Sequence, residues 1–290
     1  QPMHVGSVLV FEGSMNFAAF RETLEARVHL VPRLRQRLAM VPFGIGKPYW
    51  IDDPAFNLDM HLQHVALPAP GNWKELRTLA ARIFTAPLDR TRPLWEMTFV
   101  EGLQEIPQVP PGSVALINKV HHAAIDGVSG SDMMGVLLDV TKEPRRFEPP
   151  VPKAVPPVPN ALEVLGHTAR KILGKPGESR RVAVEVRDAL RAAAKVQAKG
   201  VEAPPVPMSA PPTPLNHTIT GQRIWNTALL ELDRVKAIRK VTGCTLNDVV
   251  LAICAGALRR YLEEKEALPD KSLIAMVPVS TRGADEQGQM

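Results

Sequence analysis

Two adjacent histidines followed by an aspartate and a glycine, His121-His122-Ala123-Ala124-Ile125-Asp126-Gly127, form the segment of this 290-residue chain best equipped for proton chemistry. An imidazole titrates near neutrality, so a ring within hydrogen-bond reach of a hydroxyl or amine can take its proton as a general base. Adjacent side chains of an extended strand face opposite ways. Only one of the two rings therefore points readily into a cleft, while the other packs behind or beside it. Asp126 can return on a turn to order a ring or the local backbone, and Gly127 can adopt the positive φ such a turn needs. The chain has no Ser or Cys at a strained strand-to-helix elbow, which favours direct attack by a bound acceptor over a covalent enzyme intermediate. Two plainer readings stand beside this one. The pair could simply sit on a polar turn, or it could ligate a metal. The metal reading is the weaker, because histidines that diverge on a strand find no HExxH or cysteine ligand set elsewhere to join.

A site of this kind needs a scaffold, and residues 1–142 read as one mixed α/β block. Residues 4–11 suit a first strand, and Asn16 offers an N-cap to an amphipathic helix carrying Phe17, Phe20, Leu24 and Val28. Pro32 ends that helix before a short basic turn over 33–38. Asn72 with Glu75 is a capping-box signature for a second helix reaching about residue 84. Residues 95–100 and 114–120 read as strands joined by the Pro/Gly-containing loop 106–112. The histidine pair follows the second strand directly. A helix from about Val128 then carries Met133, Met134, Val136, Leu137 and Leu138. Strand, polar turn and helix in that order present side chains at a sheet edge.

Beyond this block the composition changes. Residues 143–160 hold seven prolines, and 161–200 hold nine Lys/Arg against four Asp/Glu. That local net of +5 equals the formal charge of the whole chain, and Ala, Val and Leu interleave there, as in a basic amphipathic helix or helical pair. No Phe, Tyr or Trp occurs in 161–200, so nothing there could stack on nucleic-acid bases, and anionic lipid headgroups are the better match. A solvated linker helix is the bland alternative. More prolines lie between 204 and 214, making 143–214 a proline-rich and basic linker. A second domain is expected over 215–290: a strand at 223–232, a short helix at 233–241, a long helix capped by Thr245 and Asp248, and a strand at 273–277. These elements are too few to bury a sheet face, so the domain reads as an opening part only. Gln1 is no initiator, and a preceding segment is expected.

Hydrophobic residues make up 45% of the chain and charged residues 22%, an ordinary globular composition. No apolar run approaches the ~18 residues of a spanning helix. Cys244 and Cys254 are the only cysteines, which fits a reducing compartment better than a disulfide scaffold. Cys254 is expected buried in its helix. His61, His64 and His167 read as surface residues. Gly44-Ile45-Gly46 lacks the remaining glycines of a dinucleotide loop, and the sequon at Asn216 is incidental in such a compartment.

HHAAIDG resembles the HHxxxDG signature of the coenzyme A-dependent acyltransferase superfamily, and its surroundings resemble the bacterial wax ester synthase/diacylglycerol acyltransferase family. Pro2-Met3-His4-Val5-Gly6 is similar to that family's start, and Arg92-Pro93-Leu94-Trp95-Glu96 to its PLW element. The run from Thr245 to Ala252 is similar to its ND helix, and Met276-Val277-Pro278-Val279-Ser280 to the strand beyond. The resemblance covers nearly the whole chain except the basic linker. It departs after Ser280, where the family's Gly-Asn pair is missing.

The resemblance implies a two-domain, chloramphenicol acetyltransferase-like α/β fold with mixed sheets flanked by helices. It implies His122 as general base, with His121 supporting it by packing or hydrogen bonding. Asp126 and Gly127 would hold the turn, Asp126 by pairing with an arginine in the partner domain. Pro93, Leu94 and Trp95 would wall the acyl channel; a core tryptophan starting a strand is the equal alternative, and the two readings are compatible. Asn247 is the polar candidate for the oxyanion, unless Asn247 and Asp248 merely cap their helix. The implied reaction moves a long-chain acyl group from acyl-CoA to diacylglycerol or a fatty alcohol, with no permanently bound cofactor and no metal. The implied location is cytoplasmic, at the inner membrane or lipid inclusions. Two rivals remain: a condensation-type domain using the same histidine to form an amide, and a lipid-binding protein without catalysis.

Overall fold

The computed structural model describes residues 3–42, 48–125, 133–139, 210–275 and 277, together with residues 141, 145, 147, 148, 163–166, 170, 184, 187, 188 and 191. The chain divides into two compact units. The first comprises residues 1–175, 221–225 and 280–290, and the second comprises 176–220 and 226–279.

Alternation along the strands builds the first unit. Its sheet has the order β1-β6-β5-β4, formed by β1 (His4–Phe11), β4 (Leu62–Ala66), β5 (Trp95–Leu103) and β6 (Ser113–His121). β6 pairs antiparallel with both β1 and β5, while β4 runs parallel to β5, making the sheet mixed. All of β6 before its last residue is buried, because both of its faces are covered. On one face Val114, Leu116 and Val120 join Trp95, Met97 and Phe99 of β5 in a core closed by α1 (Phe17–Arg27) and by Met133 and Leu137 from helical residues 133–137. On the other face Ala115, Ile117 and Val100 meet Leu76 and Ala80 of α2 (Trp73–Thr85). Fully burying a side chain of the Leu or Phe class contributes about 1.5–3 kcal/mol, so this double-sided core dominates the unit.

The helix starts follow the residues expected to make them. Asn16 accepts from the N–H groups of Ala18 and Ala19 at 2.8 and 3.2 Å. Asn72 and Glu75 complete a capping box at the start of α2. Gly6 lets α2 approach the sheet: a Cβ there would lie 2.3 Å from the Phe84 ring and 2.2 Å from the Asn118 carbonyl oxygen.

Two features lie outside the sequence reading. Residues 36–39 and 49–52 form a two-stranded antiparallel ribbon, β2 (Gln36–Ala39) and β3 (Tyr49–Asp52), where a basic turn was expected over 33–38. β4 also went unread, because its Gln63 and His64 interrupt the apolar pattern.

In the second unit α3 (Leu232–Thr242) ends at Gly243, whose φ of 69° lets its N–H bond the Arg239 carbonyl at 3.0 Å. α4 (Leu246–Glu264) starts at Thr245 and buries Val249 and Leu262. The expected strands at 223–232 and 273–277 are not formed: residues 223–231 and 273–275 are irregular, and α3 begins at Leu232. No described strand pairs with either segment, so their backbone groups gain nothing from strand geometry. Cys254 is exposed rather than buried, on a flank of α4 that also exposes Leu251 and Leu258.

Candidate active site

The histidine pair sits where three distant segments of the chain meet. His121 is the last residue of β6 and stands opposite His4 of β1 in the strand register. The His121 N–H donates to the Leu94 carbonyl at 2.9 Å, and the His122 N–H donates to the Met3 carbonyl at 2.7 Å. The turn is closed by the Ala124 N–H on the His121 carbonyl at 2.8 Å. The backbone of the pair is thus held between the start of β1 and the residue preceding β5, and the His122 side chain is exposed at the turn.

The two rings have different surroundings. His121 Nδ1 accepts from the Ala123 N–H at 3.1 Å, which places the proton of the neutral ring on Nε2. Burial, then the charge of Arg90, then that of His122 hold the His121 imidazole below its ordinary value. The His121 ring meets the His4 ring edge-on at 6.1 Å between centroids. His4 is also held low, first by burial and next by Lys119.

Lys119 lies two residues before His121 on the same face of β6, fully buried. Its Nζ donates to the Ile83 and Ala86 carbonyls at 2.9 and 3.1 Å and pairs with Glu96 Oε2 at 2.8 Å. One ammonium therefore fastens the end of α2 to β5 and β6 beneath the histidine pair. On the opposite face Arg27, also buried, donates to the Leu137 carbonyl at 3.0 Å and pairs with Asp139, which Arg145 also engages. That pairing anchors the segment following the histidine turn. Sequence reasoning missed Lys119 and Arg27, and it held His4 and Glu96 only as members of the start and PLW motifs, with no role of their own. Glu96 and Lys119 were detectable as opposite charges interrupting two otherwise apolar strands at facing register positions.

Pro93, Leu94 and Trp95 are all buried. The Trp95 indole donates to the Leu34 carbonyl at 2.8 Å, and its ring stacks on His61 at 4.7 Å. His61, read as a surface residue, is instead buried: its Nδ1–H donates to the Trp95 carbonyl at 2.9 Å, and Phe56 covers its other side. Burial holds the His61 imidazole low. His64 is exposed, as read; it stacks on Phe17 at 4.1 Å and pairs with Glu101 at 3.0 Å. The sequence-predicted wall of the acyl channel is thus packed in the core, where Leu94 touches the site through its carbonyl.

Asp126 and Gly127 lie outside the described residues, as do His167, Gly44-Ile45-Gly46 and most of 161–200. Asn247 is exposed in the first turn of α4. Asp248 caps that helix: its carboxylate accepts from the Thr245 N–H at 2.8 Å and from the Thr245 hydroxyl at 2.7 Å, while its own N–H donates to Thr245 Oγ1 at 3.2 Å. These bonds hold the Asp248 carboxyl below the usual carboxylate range. Among the described residues no three His, Cys, Asp or Glu side chains converge as metal ligands.

Residues 1–250 match the model of the wax ester synthase/diacylglycerol acyltransferase catalytic domain. The chain belongs to this family. It is 36% identical over 297 residues to a Mycobacterium tuberculosis protein named "Probable diacyglycerol O-acyltransferase tgs2", covering 98% of this chain and 62% of that one. Rv1760 of the same organism is 35% identical over 296 residues, covering 99% of this chain and 56% of its own length. Among solved structures, the wax ester synthase/diacylglycerol acyltransferase of Marinobacter aquaeolei VT8 superposes with a TM-score of 0.59 at 30% identity, covering 96% of this chain and 61% of that one. The chain therefore spans about three fifths of the length of such relatives. The chain shares the α/β acyltransferase fold of that structure, as the resemblance implied, and the first unit carries a mixed sheet covered by helices. In this chain Met3 and His4, Leu94 of Pro93-Leu94-Trp95, and His121 and His122 are neighbours in space.

Proposed function

We propose that this protein is an O-acyltransferase that moves a long-chain acyl group from acyl-CoA to diacylglycerol or a long-chain fatty alcohol, with His122 as general base. One observation carries the reading: in a chain of this family, the exposed His122 stands on a turn pinned by hydrogen bonds to Met3 and Leu94, at the meeting point of the family's separate motifs. A fixed backbone limits where the ring can swing, which is what a base needs to meet one hydroxyl repeatedly.

The His122 imidazole takes the proton of the acceptor hydroxyl as its oxygen attacks the thioester carbonyl carbon. The new C–O bond forms a tetrahedral oxyanion. The C–S bond then breaks, and His122 returns the proton to the leaving thiolate, giving ester and CoA thiol. His121, with its proton on Nε2 and its Nδ1 occupied, supports the turn and its neighbour rather than exchanging protons. Asn247, at a helix start, is the polar candidate for the oxyanion. Acyl-CoA comes and leaves as a co-substrate at each turnover. The net +5 of residues 161–200 supports peripheral contact with anionic lipid on the cytoplasmic side, where acceptor and product partition. Among the described residues no single helix is long and apolar enough to cross a membrane.

The test is CoA thiol release from palmitoyl-CoA by the full-length protein, with hexadecanol or dipalmitoylglycerol supplied separately. The expected result is acceptor-dependent thiol release with the matching ester as product, reduced at least about 100-fold in His122→Ala. Folded protein that releases no thiol with either acceptor, or a variant equal to its parent, overturns the reading and favours a condensation-type or purely lipid-binding role.

A further inference from the structure

One face of α2 points away from the core and is almost entirely basic or small. Lys74, Arg77, Thr78, Ala81, Arg82 and Thr85 follow one another along it at helical spacing. Residues 222–225 lie alongside this face. The Arg223 N–H donates to Thr85 Oγ1 at 3.1 Å, and the Trp225 ring stands 6.5 Å from that of Trp73. Helix and segment enclose a groove of about 710 Å³. Four cations line it, Lys74, Arg77, Arg82 and Arg223, and among the described residues no carboxylate does. Lys74 and Arg82 are exposed and make no ion pair with any described residue.

A smaller hollow of about 290 Å³ shares Ala81, Arg223, Ile224 and Trp225 with it and is lined also by His4, Gly6 and Phe84. His4 is the residue whose ring meets His121. Two hollows with a common wall thus bring together four cations, an indole and the residue beside the histidine pair. Along α2 alone, Lys74 to Thr85 spans roughly 16 Å at the helical rise. A free phosphate would use only one end of such a span, whereas a nucleotide carrying a long flexible arm would use all of it.

We propose that this groove binds the nucleotide end of the acyl donor. Its phosphates lie among Lys74, Arg77, Arg82 and Arg223, its adenine ring lies against Trp225, and the pantetheine arm runs through the smaller hollow toward His4 and His121. The inference rests on the acyl-CoA reading above and adds the surface that recognises the donor. Guanidinium and ammonium groups are the natural partners of phosphate oxygens, and a cluster of one sign raises the local concentration of a polyanion. A flat indole accepts any purine face. Phosphate on a lipid headgroup would meet the same cations, but it has no ring for Trp225 and no arm for the hollow.

The experiment reverses charge at two exposed positions, Lys74→Glu with Arg82→Glu, in the full-length protein, with Lys74→Gln and Arg82→Gln as a milder pair should the first unfold. Michaelis constants are measured with palmitoyl-CoA and with the palmitoyl thioester of N-acetylcysteamine, which lacks the nucleotide. CoA binding is titrated calorimetrically without turnover. The expected result is a tenfold or greater rise in KM for palmitoyl-CoA with kcat within twofold, an equal weakening of CoA binding, and no change with the short thioester. Trp225→Ala should weaken CoA binding less, by severalfold. An unchanged KM for palmitoyl-CoA in an active protein overturns the groove while leaving the acyltransferase reading intact. Equal losses with both donors also overturn it, as does loss of anionic-vesicle binding with CoA binding preserved, which would assign the cations to headgroups. Parent protein that binds CoA in the charge-dependent manner described, yet turns over neither donor, would instead sustain the groove and end the acyltransferase reading.

Discussion

The histidine turn of the first unit and the helix start bearing Asn247 and Asp248 in the second both carry family motifs, but they are held by different kinds of contact. The turn depends on partners far away in sequence: Met3 and Leu94 through the backbone, His4 through its ring, and Lys119 fastening α2 to the strands beneath. The helix start depends on itself, through bonds between Thr245 and Asp248 within a single turn. The first arrangement exists only when the sheet is assembled, whereas the second can form as soon as one helix does. Damage should therefore spread through the first unit and stay local in the second.

The largest effect is expected from Lys119→Met. The substitution fills similar volume but leaves Glu96 without its partner and removes the donor from the Ile83 and Ala86 carbonyls. Removing one member of a buried ion pair destabilises by about 3–5 kcal/mol, and Glu96 retains some exposure, so about 3 kcal/mol is expected. Denaturant unfolding checks this. Pairing the change with Glu96→Leu should recover much of the loss, because no stranded carboxylate then remains. A single variant within about 0.5 kcal/mol of its parent would mean that the turn does not depend on this pair.

An intermediate effect comes from pH. His4, His61 and His121 all have imidazoles held below their ordinary value, chiefly by burial. Well above pH 6.5 these rings are neutral in both folded and unfolded chains and contribute no pH dependence. Below that value the unfolded chain binds protons that the folded one resists. Stability therefore falls as pH drops from about 6.5, until the depressed folded values are passed. The melting temperature should decline between pH 7 and pH 5, and His61→Asn, which keeps a donor for the Trp95 carbonyl, should flatten that decline. An unchanged slope in the variant would show that His61 is protonated in the fold without penalty.

This contrast also marks what was legible in the sequence. Local devices could be read directly: the caps at Asn16 and Asn72, the Thr245–Asp248 box, and the strand-turn order around His121. Their bonds join residues two to four apart, so spacing alone reveals them. The acyltransferase fold followed from motifs rather than periodicity. Long-range contacts were not legible. His61 looked polar and exposed because nothing nearby signals that Trp95 and Phe56 will sandwich it. Trp95 carried both a core and a channel reading, and its position depends on a carbonyl at Leu34. The expected strands at 223–232 and 273–277 had suitable residues, but strand geometry is stable only beside a partner, and none of the described strands pairs with them.

The smallest effect should come from Thr245→Ala. Loss of an N-cap hydroxyl typically costs about 0.5–2 kcal/mol, and the low end applies where the cap is exposed and no tertiary contact reinforces it. About 0.5 kcal/mol is expected here. Only the first turn of α4 should fray, because the cap bonds lie within that turn and Val249 is its nearest buried side chain. Amide hydrogen exchange is the suitable measurement: protection should fall in the first turn of α4 and stay at parental levels across β6. A loss of protection reaching β6 would mean that the start of α4 and the histidine turn are coupled, and the separation between self-held and assembly-held motifs would not stand. Exchange confined to the first turn would instead show that the start of α4 can be altered without disturbing β6, so that Asn247 variants test the proposed oxyanion role by themselves.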